Sequence, residues 1–365
     1  MRGSRYTGPN RMFLALAIFL LTFQAQPPPT TADGWTAEGW RALRAGAAEE
    51  ASADFARALR LNGAHPLALL GAGSAANVRG RADEARLQLT RALREQPSLT
   101  AASLLLGEIL YRAADLDGAI GVYEQALARA PADQRLTARL GAWKREAAVH
   151  DTFSSRIANH FTILFDGPAD QPLAARVSEL LEAIYWQVGG ALGAYPQNIL
   201  TVVLYSKEQF KDVTQSPSWA GGLYDGRIRV PVAGRIDEKE LRRVLTHELT
   251  HAVVYSLAPR GVPQWLNEGL AILMERGGAP PRASADATAP PLAQLEGAFG
   301  QLSPEEARVA YATSAAAAQA LLDRAGPMVI FNLLTNLGNG MKFDKAFERA
   351  ALMPYSDFKQ TWRRP

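Results

Sequence analysis

The chain contains the stretch His247-Glu248-Leu249-Thr250-His251, in which two histidines lie four residues apart and a glutamate follows the first. On an α-helix of about 3.6 residues per turn, positions i and i+4 share one face. Two imidazoles placed in this way can reach a single metal ion, and the glutamate between them can lie against a water molecule at that ion. The pentapeptide therefore predicts a helix that carries a metal site.

A third ligand has to come from outside the pentapeptide. The chain has five histidines and no cysteine, and no histidine other than His247 and His251 follows His160. An oxygen ligand is offered by Glu268, which lies in the segment Trp265-Leu266-Asn267-Glu268-Gly269-Leu270-Ala271. A following helix that folds back would bring it over the histidines. Two histidines and a glutamate leave one coordination position open, as in catalytic zinc sites. The alternative is two solvated histidines on an exposed helix.

The region before the pentapeptide has the order strand, helix, strand, short helix, strand. Residues 160–165 and 199–205 are rich in β-branched and aromatic residues, and residues 174–192 have apolar positions at helical spacing. The second strand is apolar almost throughout, which favours a central position. Residues 228–232 form the third strand, where Pro231 favours an edge to which an extended peptide can add. Helices follow the pentapeptide to the C-terminus.

The first part of the chain repeats with a period of 34 residues. Small residues recur at Gly39, Gly73, Gly107 and Gly141, and larger ones at Phe55, Leu89 and Tyr123. This period resembles tetratricopeptide repeats, which are helix hairpins. One hairpin cannot bury its own apolar face, so about three are needed. The sequence predicts three, closed by a capping helix over residues 136–149; an alanine-rich bundle without true repeats is the alternative.

The histidine pentapeptide at residues 247–251 and the segment at residues 265–271 together resemble the gluzincin metallopeptidases. The order of Tyr-Asp-Gly-Arg-Ile at residues 224–228, the histidine pentapeptide and Trp-Leu-Asn-Glu-Gly-Leu-Ala is most similar to bacterial peptidase MA-like domains that follow tetratricopeptide repeats. The resemblance covers roughly residues 153–360. It implies zinc (Zn²⁺) ligands at His247, His251 and Glu268, and a general base at Glu248. The Gly-x-Met-Glu-Asn stretch that grips a free amino end in the aminopeptidases is missing, which argues against a dedicated aminopeptidase.

Catalysis would also need a donor to the oxyanion of the tetrahedral intermediate. Gluzincins often take it from a tyrosine or histidine on a later helix, and no later histidine exists here. Tyr311 resembles the tyrosine that opens the later helix in this family, so we expect it to be a catalytic residue. Anchoring that helix is its alternative role, and Tyr255 and Tyr224 are weaker candidates for the donor.

The N-terminus is typical of a secretory signal. Arg2, Arg5 and Arg11 precede an apolar run over residues 12–23, which is shorter than the about 20 residues of an ordinary membrane span. We expect cleavage after Ala25 and a secreted or periplasmic protein with no stable membrane span afterwards. An uncleaved N-terminal anchor is the alternative, and a lipoprotein is excluded because the chain has no cysteine to carry the lipid.

The length of 365 residues allows two domains. We predict a signal peptide over residues 1–25, a linker over 26–34, a tetratricopeptide-repeat domain over 35–150 and a peptidase MA-like domain over 151–365. The predicted fold class is an α-solenoid followed by an α+β zincin-like domain, with a small sheet, the zinc helix and a helical C-terminal subdomain. A net charge of +3 gives no argument for a nucleic-acid partner.

The leading hypothesis is a zinc-dependent peptidase, in which Glu248 removes a proton from water and passes it to the leaving amine. The repeats would dock a protein substrate or partner. One alternative is an interaction scaffold whose peptidase domain binds metal but hydrolyses little. Another is a hydrolase of non-peptide amides, such as those in cell-wall cross-links.

Overall fold

The computed structural model describes residues 29–216, 221–232, 237–277 and 289–363. The expected signal peptide over residues 1–25 lies outside these ranges. Among the described residues, no helix combines the length and the apolar character that crossing a lipid bilayer requires.

The first seven helices form three successive hairpins and one further helix. Each helix contacts its neighbour along the chain, as tetratricopeptide repeats require. Their bounds are α1 (Ala32–Arg44), α2 (Ala48–Leu61), α3 (Pro66–Val78), α4 (Ala82–Glu95), α5 (Thr100–Arg112), α6 (Leu116–Arg129) and α7 (Gln134–His150).

The recurring glycines are contact points between the two helices of a hairpin. A Cβ on Gly39 would lie 2.7 Å from the Phe55 ring, and a Cβ on Gly107 would lie 2.3 Å from the Tyr123 ring. Gly73 stands in the same relation to Leu89. The three large side chains are buried. The period of 34 residues therefore reflects the same packing of a large side chain against a glycine in each hairpin. Gly141 has no such neighbour, since α7 is followed by a strand.

The Gly107 contact yields a stability prediction. We expect Gly107→Ala to destabilise the chain by about 1–3 kcal/mol, because an added methyl group overpacks the contact with Tyr123. Gly121→Ala in α6 is the matched control; nothing lies within 4 Å of its Cβ position, so it should stabilise the helix by up to about 1 kcal/mol. Denaturant unfolding measures both, and equal effects would contradict the proposed contact.

A five-stranded mixed sheet follows α7. The strands lie in the order β1-β2-β3-β5-β4; the inner three are parallel, and the two outer strands are antiparallel to their neighbours. Their bounds are β1 (Phe153–Ile157), β2 (Phe161–Asp166), β3 (Leu200–Tyr205), β4 (Leu223–Tyr224) and β5 (Ile228–Pro231).

The central strand β3 is buried on both faces. Val202 and Leu204 pack in a core with α8 (Gln171–Leu192) and α10 (Glu238–Leu257). Val203 and Tyr205 pack on the opposite face, against α9 (Lys207–Thr214) and the end of α7. This double burial explains the almost wholly apolar sequence of β3 and confirms its predicted central place.

The predicted edge position of the third strand is wrong. β5 lies between β3 and β4, and β4 is the outer strand on that side. Pro231 is tolerated because it is the last residue of β5, in register with Tyr205, and the next amide, of Val232, donates to the Tyr205 carbonyl at 2.7 Å. A proline at a strand end removes no hydrogen bond that the ladder needs.

The remaining helices complete the C-terminal part. The helix α11 packs between α10 and α12, and α13 contacts both α10 and α12. These contacts continue the core that covers the sheet. The bounds are α11 (Gln264–Glu275), α12 (Pro304–Ala325), α13 (Met328–Gly338), α14 (Phe343–Ala351) and α15 (Tyr355–Thr361). The predicted fold class, a repeat solenoid followed by a small sheet and helices, is confirmed.

Candidate metal and catalytic site

The candidate site lies where α10 faces α11. Leu245, Leu249 and Val253 bury one side of α10 in the core, which leaves the two histidines on the side towards α11. Gly269 sets the position of α11, because a Cβ there would lie 2.4 Å from the Ser314 carbonyl oxygen of α12. This close approach of two helices holds Glu268, the preceding residue, against the histidines.

His247, His251 and Glu268 come together as the sequence predicted. One ligand atom from each lies within 4.8 Å of the others. The Glu268 Oε2 atom is 3.3 Å from His247 Nε2 and 3.5 Å from His251 Nε2. It is buried and has no hydrogen-bond partner among the described residues, whereas Oε1 accepts a hydrogen bond from Gln264 Nε2 at 2.7 Å. A buried carboxylate oxygen with this surrounding fits a metal cation.

Electrostatic interactions link the protonation of the same three side chains. Burial disfavours the charged form of His247, but its contacts with Glu268 and Glu275 outweigh burial and raise its pKa to about 10. Burial likewise opposes the charged form of Glu268, yet the two histidines hold its pKa well below the ordinary value. A cation can replace the protons that the carboxylate attracts here, because metal binding to histidine releases protons.

Two further side chains orient the imidazoles. The Asn267 Oδ1 atom lies 3.0 Å from His251 Nδ1. The Glu275 Oε1 atom lies 3.5 Å from His247 Nδ1, while its Oε2 accepts from Arg243 Nη1 at 2.7 Å. The Asn267 contact is a hydrogen bond, whereas the Glu275 contact is an ion-pair contact, and His247 Nδ1 has no hydrogen-bond partner among the described residues. An oxygen atom beside Nδ1 leaves Nε2 to face the metal position. Sequence reasoning missed both roles, although Glu275 lies seven residues after Glu268 and therefore on the same face of α11.

Glu248 lies beside the ligands and next to the backbone of residue 222. It is 5% exposed, and burial, partly opposed by the two histidines, raises its pKa. A Cβ on Gly222 would lie 2.6 Å from Glu248 Oε1, so any larger residue there would press against the Glu248 side chain. This contact could not be predicted from sequence patterns, because the two residues lie in different elements.

A cleft of about 430 Å³ contains the site. Glu248, the three candidate ligands and Tyr311 all line it, as do Leu223, Tyr224, Tyr255 and Phe299. Tyr311 is half-buried and packs edge-on against Phe299, with ring centroids 5.5 Å apart. Burial and then the nearby glutamates raise its pKa above the ordinary value, so its phenol is protonated at neutral pH and able to donate a hydrogen bond.

The fold and the site support a peptidase-like domain that follows a helical repeat region along the chain. Residues 187–364 match the Peptidase MA superfamily, and residues 36–99 and 78–134 match the tetratricopeptide repeat. The region that matches the Peptidase MA superfamily thus follows the region that matches the tetratricopeptide repeat. No curated protein matches it.

Two solved tetratricopeptide structures are similar to parts of the chain. The first TPR of Spaghetti (RPAP3) bound to HSP90 peptide SRMEEVD is 19% identical, covers 32% of this chain and 94% of its own, and has a TM-score of 0.31. The Sgt2 TPR domain from Aspergillus fumigatus is 22% identical, covers 36% of this chain and 89% of its own, and has a TM-score of 0.32.

The contact of Glu275 with His247 yields a metal-binding prediction. We expect Glu275→Gln to weaken zinc affinity by about 10- to 100-fold, because loss of the carboxylate frees the imidazole and lowers its basicity. Glu240→Gln is the matched control, since Glu240 also bonds Arg243 but is exposed and does not contact the histidine. Competition with a zinc chelator measures both affinities. Equal affinities would contradict the orienting role.

Proposed function

We propose that the chain is a zinc-dependent peptidase, with Glu248 as its general base and with repeats that dock a protein substrate or partner. The observation that carries the proposal is the buried Glu268 Oε2 atom, which lacks a hydrogen bond and faces two imidazole nitrogens. The match of residues 187–364 to the Peptidase MA superfamily supports it.

The donor set suits zinc. His247, His251 and Glu268 would hold the ion through two nitrogens and one oxygen, which leaves a position open in a tetrahedral arrangement. When bound, zinc activates water at neutral pH and polarises a carbonyl group.

Glu248 has the surroundings of a general base. Burial raises its pKa above that of an exposed glutamate, which makes its carboxylate a stronger proton acceptor. Its carboxylate would accept a proton from the attacking water and return it to the leaving amine. The approach of Gly222 keeps one wall of the cleft in contact with this carboxylate.

Tyr311 is proposed as the oxyanion donor. Its protonated phenol lies in the same cleft as Glu248 and the ligands. A donor placed where negative charge develops stabilises the transition state more than the bound substrate.

The outer strand β4 is proposed to bind the substrate backbone. Leu223 and Tyr224 belong to β4 and line the cleft. Among the residues that the structure describes, β4 pairs with β5 alone. An extended peptide can add to such an edge through main-chain hydrogen bonds.

Replacement of the base yields the main test. We expect Glu248→Gln to lower kcat for peptide hydrolysis by about 10²- to 10⁴-fold, because proton transfer is lost. Zinc stoichiometry should remain as in the wild type, since Glu248 is not a ligand. Glu238→Gln, on the exposed first turn of the same helix, is the control. Peptide cleavage that survives in Glu248→Gln, or a wild-type chain without stoichiometric zinc, would overturn the proposal.

Two tyrosine variants test the oxyanion donor. We expect Tyr311→Phe to lower kcat by about 10²- to 10³-fold with little change in KM, because the hydrogen bond forms in the transition state. Tyr255→Phe, on α10 and also in the lining of the cleft, should have a small effect. If the second variant loses kcat and the first does not, the donor is Tyr255.

An interaction scaffold with a weakly active domain is the rival function, and the repeat region favours it. Proteome-wide cleavage by the wild type that a chelator abolishes would eliminate this rival. We further propose the domain boundary near residues 150 and 151, and a secreted or periplasmic location that follows from the expected signal at residues 1–25. N-terminal sequencing of exported protein would locate the cleavage.

A further inference from the structure

The repeat helices and the sheet meet at a buried set of charged side chains. Glu146, near the end of α7, is 2% exposed, and Arg227 and Arg229, which flank the start of β5, are each 1% exposed. The Glu146 carboxylate accepts hydrogen bonds from Arg227 Nη1 at 2.9 Å and from Arg229 Nη2 at 3.0 Å. Tyr111 in α5 donates to it at 2.7 Å.

The charges in this set balance. Arg229 Nε donates to the Asp225 carboxylate at 3.1 Å, and its Nη1 donates to the Tyr205 hydroxyl at 2.6 Å. Two guanidinium groups thus meet two carboxylates, of which Glu146 comes from the repeats. Burial alone would raise the pKa of Glu146, but the charges of the arginines outweigh it and hold that pKa below its ordinary value. Removing one member leaves a buried charge without compensation.

The repeats also contact the turn between β4 and β5. Gly226 has a φ of +105°, and a Cβ there would lie 2.7 Å from Arg112 Cγ at the end of α5. Arg112 is itself held by a hydrogen bond of 3.0 Å to Asn77 in α3. The Arg227 guanidinium lies 4.6 Å from the centre of the Tyr111 ring. Three repeat helices, α3, α5 and α7, therefore fix this turn.

The same hairpin forms one wall of the cleft. Arg229 is in register with Leu223, and Ile228 with Tyr224, and both β4 residues line the cleft. Gly222, the residue before β4, is the one that approaches Glu248. A shift of the arginines would therefore move the backbone that faces the general base.

We propose that Glu146 is a positioning residue for hydrolysis, and that the repeats complete the catalytic cleft by holding the β4–β5 hairpin. This inference rests on the proposed peptidase function. It assigns the repeats a role that does not depend on docking a partner: they fix the edge to which the substrate backbone adds.

The test compares Glu146→Gln with Glu124→Gln in the full chain. Glutamine keeps the shape of Glu146 and removes its charge. Glu124 in α6 is the matched control. Its Oε1 atom lies 2.6 Å from Nζ of Lys144, which belongs to α7 like Glu146, and this pair is exposed. Hydrogen exchange of residues 222–230, zinc content, and kcat and KM for a peptide too short to reach the repeats are measured for both.

We expect exchange in residues 222–230 to rise by about 10-fold or more in Glu146→Gln, while α10 and α11 remain protected. The kcat for the short peptide should fall by about 10- to 100-fold, because a small displacement near the reacting groups is costly. Zinc content should not change. The control should resemble the wild type in every readout.

A second variant covers the case in which Glu146→Gln does not fold. Arg112→Ala removes the packing on Gly226 without exposing a buried charge pair, and should raise exchange in the same hairpin to a smaller degree. Unchanged exchange of residues 222–230 in the folded variant, or a kcat equal to that of the control, would overturn the positioning role. If the peptidase proposal fails, the wild type will not hydrolyse the peptide. In that case the exchange measurement still shows whether Glu146 holds the β4–β5 hairpin.

Discussion

The candidate site depends on one unusual contact, a buried carboxylate oxygen that faces two imidazole nitrogens without a hydrogen bond. Such an arrangement is costly in a folded protein unless a cation or shared protons balance the charge. Here the raised pKa of His247 and the lowered pKa of Glu268 show how strongly the imidazoles and the carboxylate attract each other's charge. The helix packing serves the contact, since Gly269 brings α11 against α12 and so sets the distance from Glu268 to the histidines.

The parts of the structure that sequence predicted are those with a local or periodic signature. The step from Gly39 to Gly73 to Gly107 follows from a fit repeated in each hairpin, and a period is visible without any knowledge of tertiary contacts. The spacing of His247 and His251 follows from the helical turn. The sequence patterns alone therefore predict both the solenoid and the proximity of the three candidate ligands.

The features that sequence did not predict depend on contacts between distant segments. β4 has only two residues, which is too short to show an alternation of apolar and polar residues. Sequence patterns therefore place the edge of the sheet at the next strand, β5. The approach of Gly222 to Glu248 joins a loop to a helix. The contact of Glu275 with His247 was in principle visible from its helical phase, but an acidic residue at the end of a helix is ordinarily solvated, and nothing in the sequence distinguished it.

The buried charges between α7 and β5 have a consequence for how the chain can be divided. A cut near residue 150 follows the change from helical repeats to strands, and it is where a domain would be excised for study. Such a cut would separate Arg227 and Arg229 from Glu146, the carboxylate of α7 that lies between them, and would expose both guanidinium groups to water. The part of the chain after such a cut is therefore not electrostatically balanced at this point. It keeps both arginines but only one of the two carboxylates that meet them, Asp225, because Glu146 lies before the cut.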